Sequence, residues 1–311
     1  MKLSVVIPAF NEGSNIAVIV GEILAITEKV PEINSVQVVV VDDHSTDDTY
    51  RAIDALTDKR VNCLRLSKRS GSHIALRAGL QYVDGDAVLC LSADGQDDPA
   101  ALKEMLNKWR DGAKVVWALR KSRRNEPWSV RIPAVLFYKT LSYLAGQPGG
   151  PIDLSRADFY LLDRCVVCAV NACAESRTSL FGLIQWVGFS HDFVEYDRRE
   201  RKSGKSKWSF GRRLGLAKDW IIAFSSTPIK AISLLGFFLL ALGFLFLFFV
   251  PSGDLGYSSD GFCALLIILL FVGGFQMIML GLLGEYLWQS LEESRHRPLY
   301  FIEKRTQGAG R

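Results

Sequence analysis

The sequence lacks a strong excess of either charge. Its 311 residues include 37 Lys and Arg against 33 Asp and Glu, which leaves a formal net charge of +4. A balance this close to neutral does not indicate a nucleic-acid-binding protein. The basic residues cluster in segments 110–131 and 198–213 and near the C-terminus. Such clusters fit phosphorylated substrates or anionic lipid headgroups, with a solvated surface as the alternative for any single side chain.

The sequence also lacks the usual pattern of a zinc site and that of a secretion signal. Cys165, Cys168 and Cys173 share a helix-like stretch with no second cysteine pair and no nearby histidine. Reduced, structural cysteines are therefore favoured over metal ligands. The chain opens with Met1 and Lys2 directly before a short apolar strand, without a signal peptide. We therefore expect the N-terminal domain to stay in the cytoplasm.

Charge is nearly missing from residues 231–284. Segments 231–250 and 261–284 are each long enough to cross a bilayer core of about 30 Å. The turn at 251–260 contains no Lys or Arg, whereas basic residues precede the first span and follow the second. The positive-inside rule then predicts a two-helix transmembrane hairpin with both ends in the cytoplasm. Segment 209–227 is amphipathic and predicts an interfacial helix, with a core-packed helix as the alternative.

The first 120 residues alternate short apolar runs with helix-like segments. The runs that read as strands are 3–9, 36–41, 61–66, 87–91 and 115–119. This alternation predicts an α/β fold, with a mostly parallel sheet covered by helices on both faces. Ligands bind beyond the carboxyl ends of the strands in such sheets. Polar clusters follow three of the runs directly, so we expect them at one edge: Asn11-Glu12, Asp42-Asp43 and Asp94-Gly95-Gln96.

Clustered carboxylates at strand ends would repel an anionic phosphate ligand unless a cation lay between them. Hard carboxylate oxygens hold Mg²⁺ or Mn²⁺, which can bridge to phosphate oxygens. Nearby arginines would complete the recognition of a phosphate or diphosphate. For Asp42 or Asp43 taken alone, participation in a helix cap is an equally good interpretation.

Four segments resemble the motifs of family 2 glycosyltransferases, which have the GT-A fold. Segments 5–12 and 40–49 resemble the two opening motifs, and 92–99 resembles the metal-binding Asp-x-Asp region. Segment 201–208 resembles the Arg-x-x-Gly-x-Ser-Lys-aromatic motif of the polyprenyl-phosphate branch. That branch includes dolichyl-phosphate mannose synthase and bacterial undecaprenyl-phosphate glucosyl- and aminoarabinosyltransferases. The resemblance covers nearly the whole chain, including the hairpin and the Arg297-Pro298-Leu299-Tyr300 tail.

The resemblance implies a role for individual side chains. Nucleotide-sugar binding would fall to Pro8, Glu12, Asp42, Asp43 and Asp94. Asp94 and Gln96 would contact Mg²⁺ or Mn²⁺ and the diphosphate. On the acceptor side, Arg120 would lie on a closing loop, and Asp158 is a candidate base. The acceptor phosphate would be bound by Arg201, Ser206 and Lys207. The implied catalytic residues are Asp158, Arg201 and Arg120.

The resemblance also implies an activity and a location. The protein would move a sugar, with inversion, from a nucleotide-sugar to a polyprenyl phosphate, with a UDP-sugar favoured over a GDP-sugar. It would be a homo-oligomeric, multi-pass protein of the bacterial inner membrane, with its catalytic domain in the cytoplasm and no nucleic-acid partner. The expected divisions are a GT-A domain at 1–208, a juxtamembrane helix at 209–227, two membrane helices at 228–288 and a cytoplasmic tail at 289–311.

One position departs from the family pattern and keeps alternatives open. Ser92 stands where many relatives have an aspartate, so one carboxylate that would face the metal is missing. Weaker metal binding, or a membrane scaffold with a degenerate transferase domain, is the alternative that this serine supports. A processive polysaccharide synthase is less favoured, because Gln185-Trp186 lacks the arginine spacing of the Gln-x-x-Arg-Trp motif. His73, in a loop that could approach the nucleotide, is interpreted as a packing residue.

Overall fold

A computed structural model of the chain describes residues 1–121, 157–173, 179–197 and 259–306, with single positions 175, 199, 232, 234, 236 and 238. The strands are β1 (Lys2–Ala9), β2 (Ser35–Asp42), β3 (Val61–Leu66), β4 (Ala87–Cys90), β5 (Val115–Arg120), β6 (Ala157–Asp163), β7 (His191–Tyr196) and β8 (Ile302–Arg305). The α-helices are α1 (Ile16–Thr27), α2 (Thr49–Asp54), α3 (Ser72–Leu80), α4 (Leu102–Arg110), α5 (Arg164–Ala172), α6 (Leu180–Trp186) and α7 (Ser259–Ser294), and a 3₁₀ turn at Pro99–Ala101 opens α4.

The strands form one eight-stranded sheet in the order β7-β5-β6-β4-β1-β2-β3-β8. Strands β4, β1, β2 and β3 are parallel neighbours, and β5 is parallel to β7. Only β6 and β8 run in the opposite direction among the described strands. The predicted α/β fold with a mostly parallel sheet is therefore confirmed, and each of the five predicted strands is present within about a residue of its expected bounds.

Side chains of the central strands alternate between two apolar layers. Val5 and Ile7 of β1 belong to the layer beneath α1 and α4, whereas Val6 belongs to the layer beneath α3, α5 and α6. The same alternation holds in β2, because successive side chains of a strand point to opposite faces. Full burial of each such side chain contributes roughly 1.5–3 kcal/mol. The two layers fix the sheet rigidly and leave its carboxyl edge to carry the polar loops.

Helix α3 approaches the sheet more closely than an ordinary side chain would allow. A Cβ atom at Gly79 would lie 2.3 Å from Cγ1 of Val6 and 3.1 Å from Cγ2 of Val41. Glycine is therefore required for this contact. This close contact holds the last turn of α3 against β1 and β2.

The C-terminal helix α7 is long and presents apolar side chains to solvent. Its 36 residues span about 54 Å, and the exposed fractions of Phe271, Met277 and Leu287 reach 76%, 71% and 70%. Its segment Phe271–Ser294 is long and apolar enough, by length and composition, to cross a membrane. The predicted second span at 261–284 lies within α7, whereas the predicted first span at 231–250 and the 209–227 helix lie outside the described residues, apart from four single positions.

Candidate active site

The loops that follow β1, β2 and β4 meet at one edge of the sheet. Ala9 and Asp42, the last residues of β1 and β2, are register partners. Val6 pairs with Cys90 at the end of β4, and the Leu91 amide donates to the Val6 carbonyl at 3.2 Å. Since the three strands are parallel, their carboxyl ends share this edge. The three polar clusters singled out in the sequence therefore lie on one side of the molecule.

The loops after β1 and β2 are joined to each other by hydrogen bonds between backbone amides and side-chain oxygens. The Asn11 amide donates to Oγ of Ser45 at 2.9 Å, and Oδ1 of Asn11 accepts from the Thr46 amide at 2.9 Å. The Glu12 amide donates to Oγ1 of Thr49, also at 2.9 Å. Asn11 has a φ of 55°, a left-handed conformation that asparagine tolerates better than most residues. These contacts join the two loops into one unit.

Asp42 is fully buried and supports this pair of loops from inside the protein. Its Oδ1 accepts from the Ser45 amide at 2.9 Å, and its Oδ2 accepts from Nη1 of Arg65 at 2.8 Å. The guanidinium of Arg65 also donates through Nη2 to the Ser45 carbonyl at 3.0 Å. A buried charge is tolerated when it is paired and hydrogen-bonded in this way. Both oxygens of Asp42 are therefore engaged by protein groups, and its direct contact with a nucleotide stays a prediction.

Asp43 fixes the loop that leads into α3. Its two oxygens accept from the backbone amides of Ser70 at 2.6 Å and Gly71 at 2.8 Å. The φ of +97° at Gly71 turns that amide toward the carboxylate, a conformation that favours glycine. Burial raises the pKa of Asp43 above its usual range, against the lowering effect of these two hydrogen bonds and of Arg69. Asp43 thus ties the loop after β2 to the loop after β3, and Asp42 ties it to Arg65 of β3, so neither carboxylate caps α2.

Arg69 is a site residue that the sequence analysis missed. Its guanidinium lies over the ring of Phe10, 3.8 Å from the ring centroid, a cation–π contact between the loops after β3 and β1. His73, four positions further along the chain, packs as expected. The ring of His73 lies edge-on to Phe181 at 5.5 Å, and burial lowers its pKa to about 4, so it is neutral. Arg69 lies in the glycine-containing loop just before His73, and that placement is the sequence feature that could have pointed to it.

The loop after β4 holds its carboxylates in a different way. Oγ of Ser92 lies 2.7 Å from Oδ1 of Asp94 and 2.7 Å from Oδ2 of Asp97. The single hydroxyl proton can serve one carboxylate at a time. The Ser92 amide donates to Oδ2 of Asp97 at 2.7 Å, and the Gln96 amide donates to Oδ1 of Asp94 at 3.1 Å. Asp97 is only 4% exposed, whereas Asp94 and Gln96 are half-buried.

The residues of this loop fit a divalent cation that shares its coordination with a ligand. Among the described residues, no three His, Cys, Asp or Glu side chains are grouped closely enough to hold a metal by themselves. Asp94 and Gln96 do offer a half-exposed carboxylate and an amide oxygen. Mg²⁺ commonly keeps one or two protein carboxylates and takes its other ligands from phosphate and water. The donor set therefore fits Mg²⁺ or Mn²⁺ completed by a diphosphate.

The residues expected on the acceptor side lie at the other half of the same edge or outside the described residues. Arg120 is the half-buried last residue of β5, and Leu119 before it pairs with Ala157 at the start of β6. Because β6 is antiparallel to β4 and β5, its first residues reach the edge where those strands end. Asp158 belongs to β6, but its side chain lies outside the described residues, as do Arg201, Ser206 and Lys207.

Solved structures share this architecture. Mannosyl-3-phosphoglycerate synthase from Rubrobacter xylanophilus aligns with a TM-score of 0.55 at 20% identity, covering 72% of this chain and 73% of that one. Glucosyl-3-phosphoglycerate synthase from Mycobacterium tuberculosis, in complex with Mn²⁺ and UDP-glucose, aligns with a TM-score of 0.50 at 17% identity, covering 71% and 77%. At these identities the likeness shows the fold, which is that of a GT-A glycosyltransferase.

Relatives match nearly the whole chain, and a family model matches its N-terminal half. The model of glycosyl transferase family 2 matches residues 4–152. An uncharacterized glycosyltransferase of Synechocystis is 35% identical over 306 residues, covering 97% of this chain and 95% of the relative. The bactoprenol glucosyl transferase of Shigella phage SfV is 34% identical over 311 residues, covering 99% and 100%. The chain therefore belongs to glycosyltransferase family 2, and it is a glycosyltransferase.

Proposed function

We propose that this protein transfers a hexosyl group from a UDP-sugar to the phosphate of a polyprenyl phosphate, at the cytoplasmic face of a membrane. The observation that carries the proposal is the match to the bactoprenol glucosyl transferase of Shigella phage SfV over nearly the full length of both chains. That match includes the exposed apolar helix α7 as well as the sheet. It therefore supports a lipid acceptor, and it makes glucose the first sugar to test.

Donor binding is assigned to the loops after β1, β2 and β4. Pro8 and Glu12 are half-buried at the edge, where they can line the pocket for the base and ribose. Asp42 and Asp43 belong to the same pocket and hold its loops in place through the contacts described above. Because these contacts fix the loops relative to each other, they limit the ordering cost of binding a donor. The Mn²⁺ and UDP-glucose found in the glucosyl-3-phosphoglycerate synthase structure support a UDP-sugar donor.

The leaving diphosphate is assigned to the half-exposed part of the β4 loop. Asp94 and Gln96 would hold Mg²⁺ or Mn²⁺, which, when bound, supplies positive charge against the diphosphate. Ser92 keeps the Asp94 carboxylate oriented through its hydroxyl. This contact supports a retained role for the position at which a carboxylate is missing, and it weighs against the scaffold alternative.

The acceptor chemistry needs charge compensation more than it needs a strong base. A phosphate oxygen of the lipid forms a bond to the anomeric carbon while the bond from that carbon to the diphosphate oxygen breaks, which inverts the anomeric centre. The phosphate is already anionic near neutral pH, and Asp158 is assigned to accept any remaining proton. Arg120, Arg201, Ser206 and Lys207 are assigned to the acceptor phosphate, where positive charge and hydrogen bonds offset the repulsion between the two anionic reactants.

The membrane arrangement completes the proposal. A GT-A domain at 1–208 would be followed by the interfacial helix at 209–227, a two-helix hairpin at 228–288 and a tail at 289–311. The hairpin would hold the domain at the lipid surface, so that the acceptor phosphate and the donor meet at the carboxyl edge of the sheet. We further propose a homo-oligomer in the bacterial inner membrane, with the catalytic domain in the cytoplasm.

A direct assay tests the proposed reaction. Full-length protein in detergent is incubated with Mn²⁺ or Mg²⁺, undecaprenyl phosphate and one of several UDP- or GDP-sugars. We expect mass spectrometry to detect a glycosylated lipid phosphate with a UDP-hexose, and no product when EDTA is present. Nucleotide-sugar binding with no lipid product from any donor would overturn the proposal and favour the scaffold alternative.

A further inference from the structure

The C-terminal tail returns from helix α7 to the sheet and becomes its last strand. Strand β8 pairs antiparallel with β3, with Leu64 opposite Arg305 and Leu66 opposite Ile302. The pairing is extended by the Ser67 amide, which donates to the Phe301 carbonyl at 2.9 Å. At the other end, Oγ1 of Thr306 accepts from the Cys63 amide at 2.8 Å. The tail thus covers the edge of β3, which would otherwise be exposed beside the donor loops.

This strand brings an acidic side chain to the arginine that supports those loops. Oε2 of Glu303 accepts from Nε of Arg65 at 3.1 Å. The remaining nitrogens of the same guanidinium serve Asp42 and the Ser45 carbonyl, as described above. Arg65 is therefore held on both sides, by the fully buried Asp42 and by Glu303, whose side chain is 39% exposed.

The chain of contacts continues into the proposed pocket for the base and ribose. Arg65 orients Asp42 and Ser45, and the hydroxyl of Ser45 accepts from the Asn11 amide in the loop after β1. A guanidinium is planar and its N–H donors point in fixed directions. All three of its acceptors must therefore keep their positions for every hydrogen bond to form. Without Glu303, the Nε side loses its partner and the long side chain regains rotamer freedom.

We propose that Glu303 is a positioning residue for nucleotide binding, which acts through Arg65 on the loops after β1 and β2. The inference rests on the proposed donor site. It also links the C-terminal tail to donor binding, because Glu303 lies only nine positions beyond the end of α7 at Ser294. The apolar helix and the donor pocket are thereby joined through one short segment.

The test measures the affinity of the full-length protein for UDP with Mn²⁺ by titration calorimetry in detergent. For a partly exposed ion pair, we expect Glu303→Gln to raise the Kd about threefold. The KM for the UDP-sugar should rise by the same factor, while kcat and the KM for the lipid phosphate stay unchanged. In an Arg65→Gln background, Glu303→Gln should have a smaller effect, because its contact with Arg65 is already lost and only its 3.6 Å contact with Nδ1 of His44 remains.

Two variants serve as matched controls. Thr306→Val removes a hydrogen bond of the same tail strand without touching Arg65, and Glu104→Gln removes an exposed carboxylate on α4; both should keep the wild-type Kd. An unchanged Kd in Glu303→Gln, or an undiminished loss in the Arg65→Gln background, would overturn this inference alone. Failure of the wild-type protein to bind UDP would overturn both the donor assignment and the role of Glu303.

Discussion

The acidic loops on the two sides of β1 carry the same residue type but place it in different surroundings. After β2, Asp42 is fully buried and Asp43 is 4% exposed, and both accept hydrogen bonds from protein donors on each oxygen. After β4, Asp94 is half-buried, and its Oδ1 lies near the Ser92 hydroxyl and the Gln96 amide. The two carboxylates after β2 are therefore buried, whereas the Asp94 carboxylate after β4 is partly exposed and accessible to a ligand.

An acidic residue at a strand end is therefore not by itself a ligand contact. A buried carboxylate must be fully paired, so its main contribution is to fix the backbone around it. A half-exposed carboxylate can exchange water for a cation at little cost. We therefore expect substitutions after β2 to act first on stability, and substitutions after β4 to act first on turnover.

The largest expected effect is on catalysis, from Asp94→Ala. Removing the proposed metal carboxylate should lower kcat/KM for sugar transfer by about a thousandfold or more. The loss of unfolding free energy should stay within about 1 kcal/mol, because the side chain is half-exposed. Radiolabelled transfer to undecaprenyl phosphate and thermal unfolding measure the two quantities. Asp111→Ala, at an exposed aspartate beyond α4, is the control. Near-normal transfer by Asp94→Ala would erase the contrast between the loops.

The next effect is on stability, from Asp42→Asn. The variant leaves Arg65 without its buried counter-charge, which should lower the free energy of unfolding by about 3 kcal/mol. Thermal unfolding in detergent checks this, and UDP affinity should weaken as a consequence of the loosened loops. A variant of unchanged stability that fails to bind UDP would instead make Asp42 a direct ligand contact, as the sequence resemblance implies.

The sequence predicted the parts of the site that depend on local pattern. Runs of β-branched residues identified β1 and β2, and parallel topology then brought their polar ends together. It could not predict that Arg65 pairs with Asp42, since the residues lie on neighbouring strands whose register is set by packing. The contact between Glu303 and Arg65 was even harder to predict, because the two residues lie 238 positions apart in the sequence. Its strand β8 offers a single apolar residue, Ile302, so no alternating pattern marks it.

Asp163, at the end of β6, is another buried carboxylate that accepts hydrogen bonds from protein donors. It leads to a pH-dependent prediction. Burial alone would raise its pKa, but hydrogen bonds from the Cys165 amide, Nζ of Lys114 and Nε1 of Trp109 outweigh burial and lower the pKa to about 2. Because the folded pKa lies below the unfolded value of about 3.9, this stabilisation is present above that pH and lost as the pH falls through the folded pKa.

Asp163→Asn should therefore destabilise the protein by about 1–2 kcal/mol at neutral pH. The difference from the wild-type protein should shrink as the pH falls from about 4 to about 2, because the carboxyl becomes protonated in both states. Thermal unfolding at a series of pH values measures it. A difference that stays constant across that range would mean that the ionised carboxylate is not what stabilises β6.

The smallest expected effect separates positioning from chemistry within the β4 loop, through Ser92→Ala. The hydroxyl lies between Asp94 and Asp97, and its loss removes one hydrogen bond to a charged group, worth about 1–2 kcal/mol. Asp94 would keep its charge but lose part of its orientation, so kcat should fall about threefold to tenfold while UDP affinity in the absence of metal stays unchanged. Steady-state transfer kinetics across a Mn²⁺ titration, with Ser190→Ala as a remote hydroxyl control, measure this. A loss as severe as that of Asp94→Ala would show that the serine itself belongs to the metal site, as a third oxygen ligand beside Asp94 and Gln96 rather than as a support for Asp94.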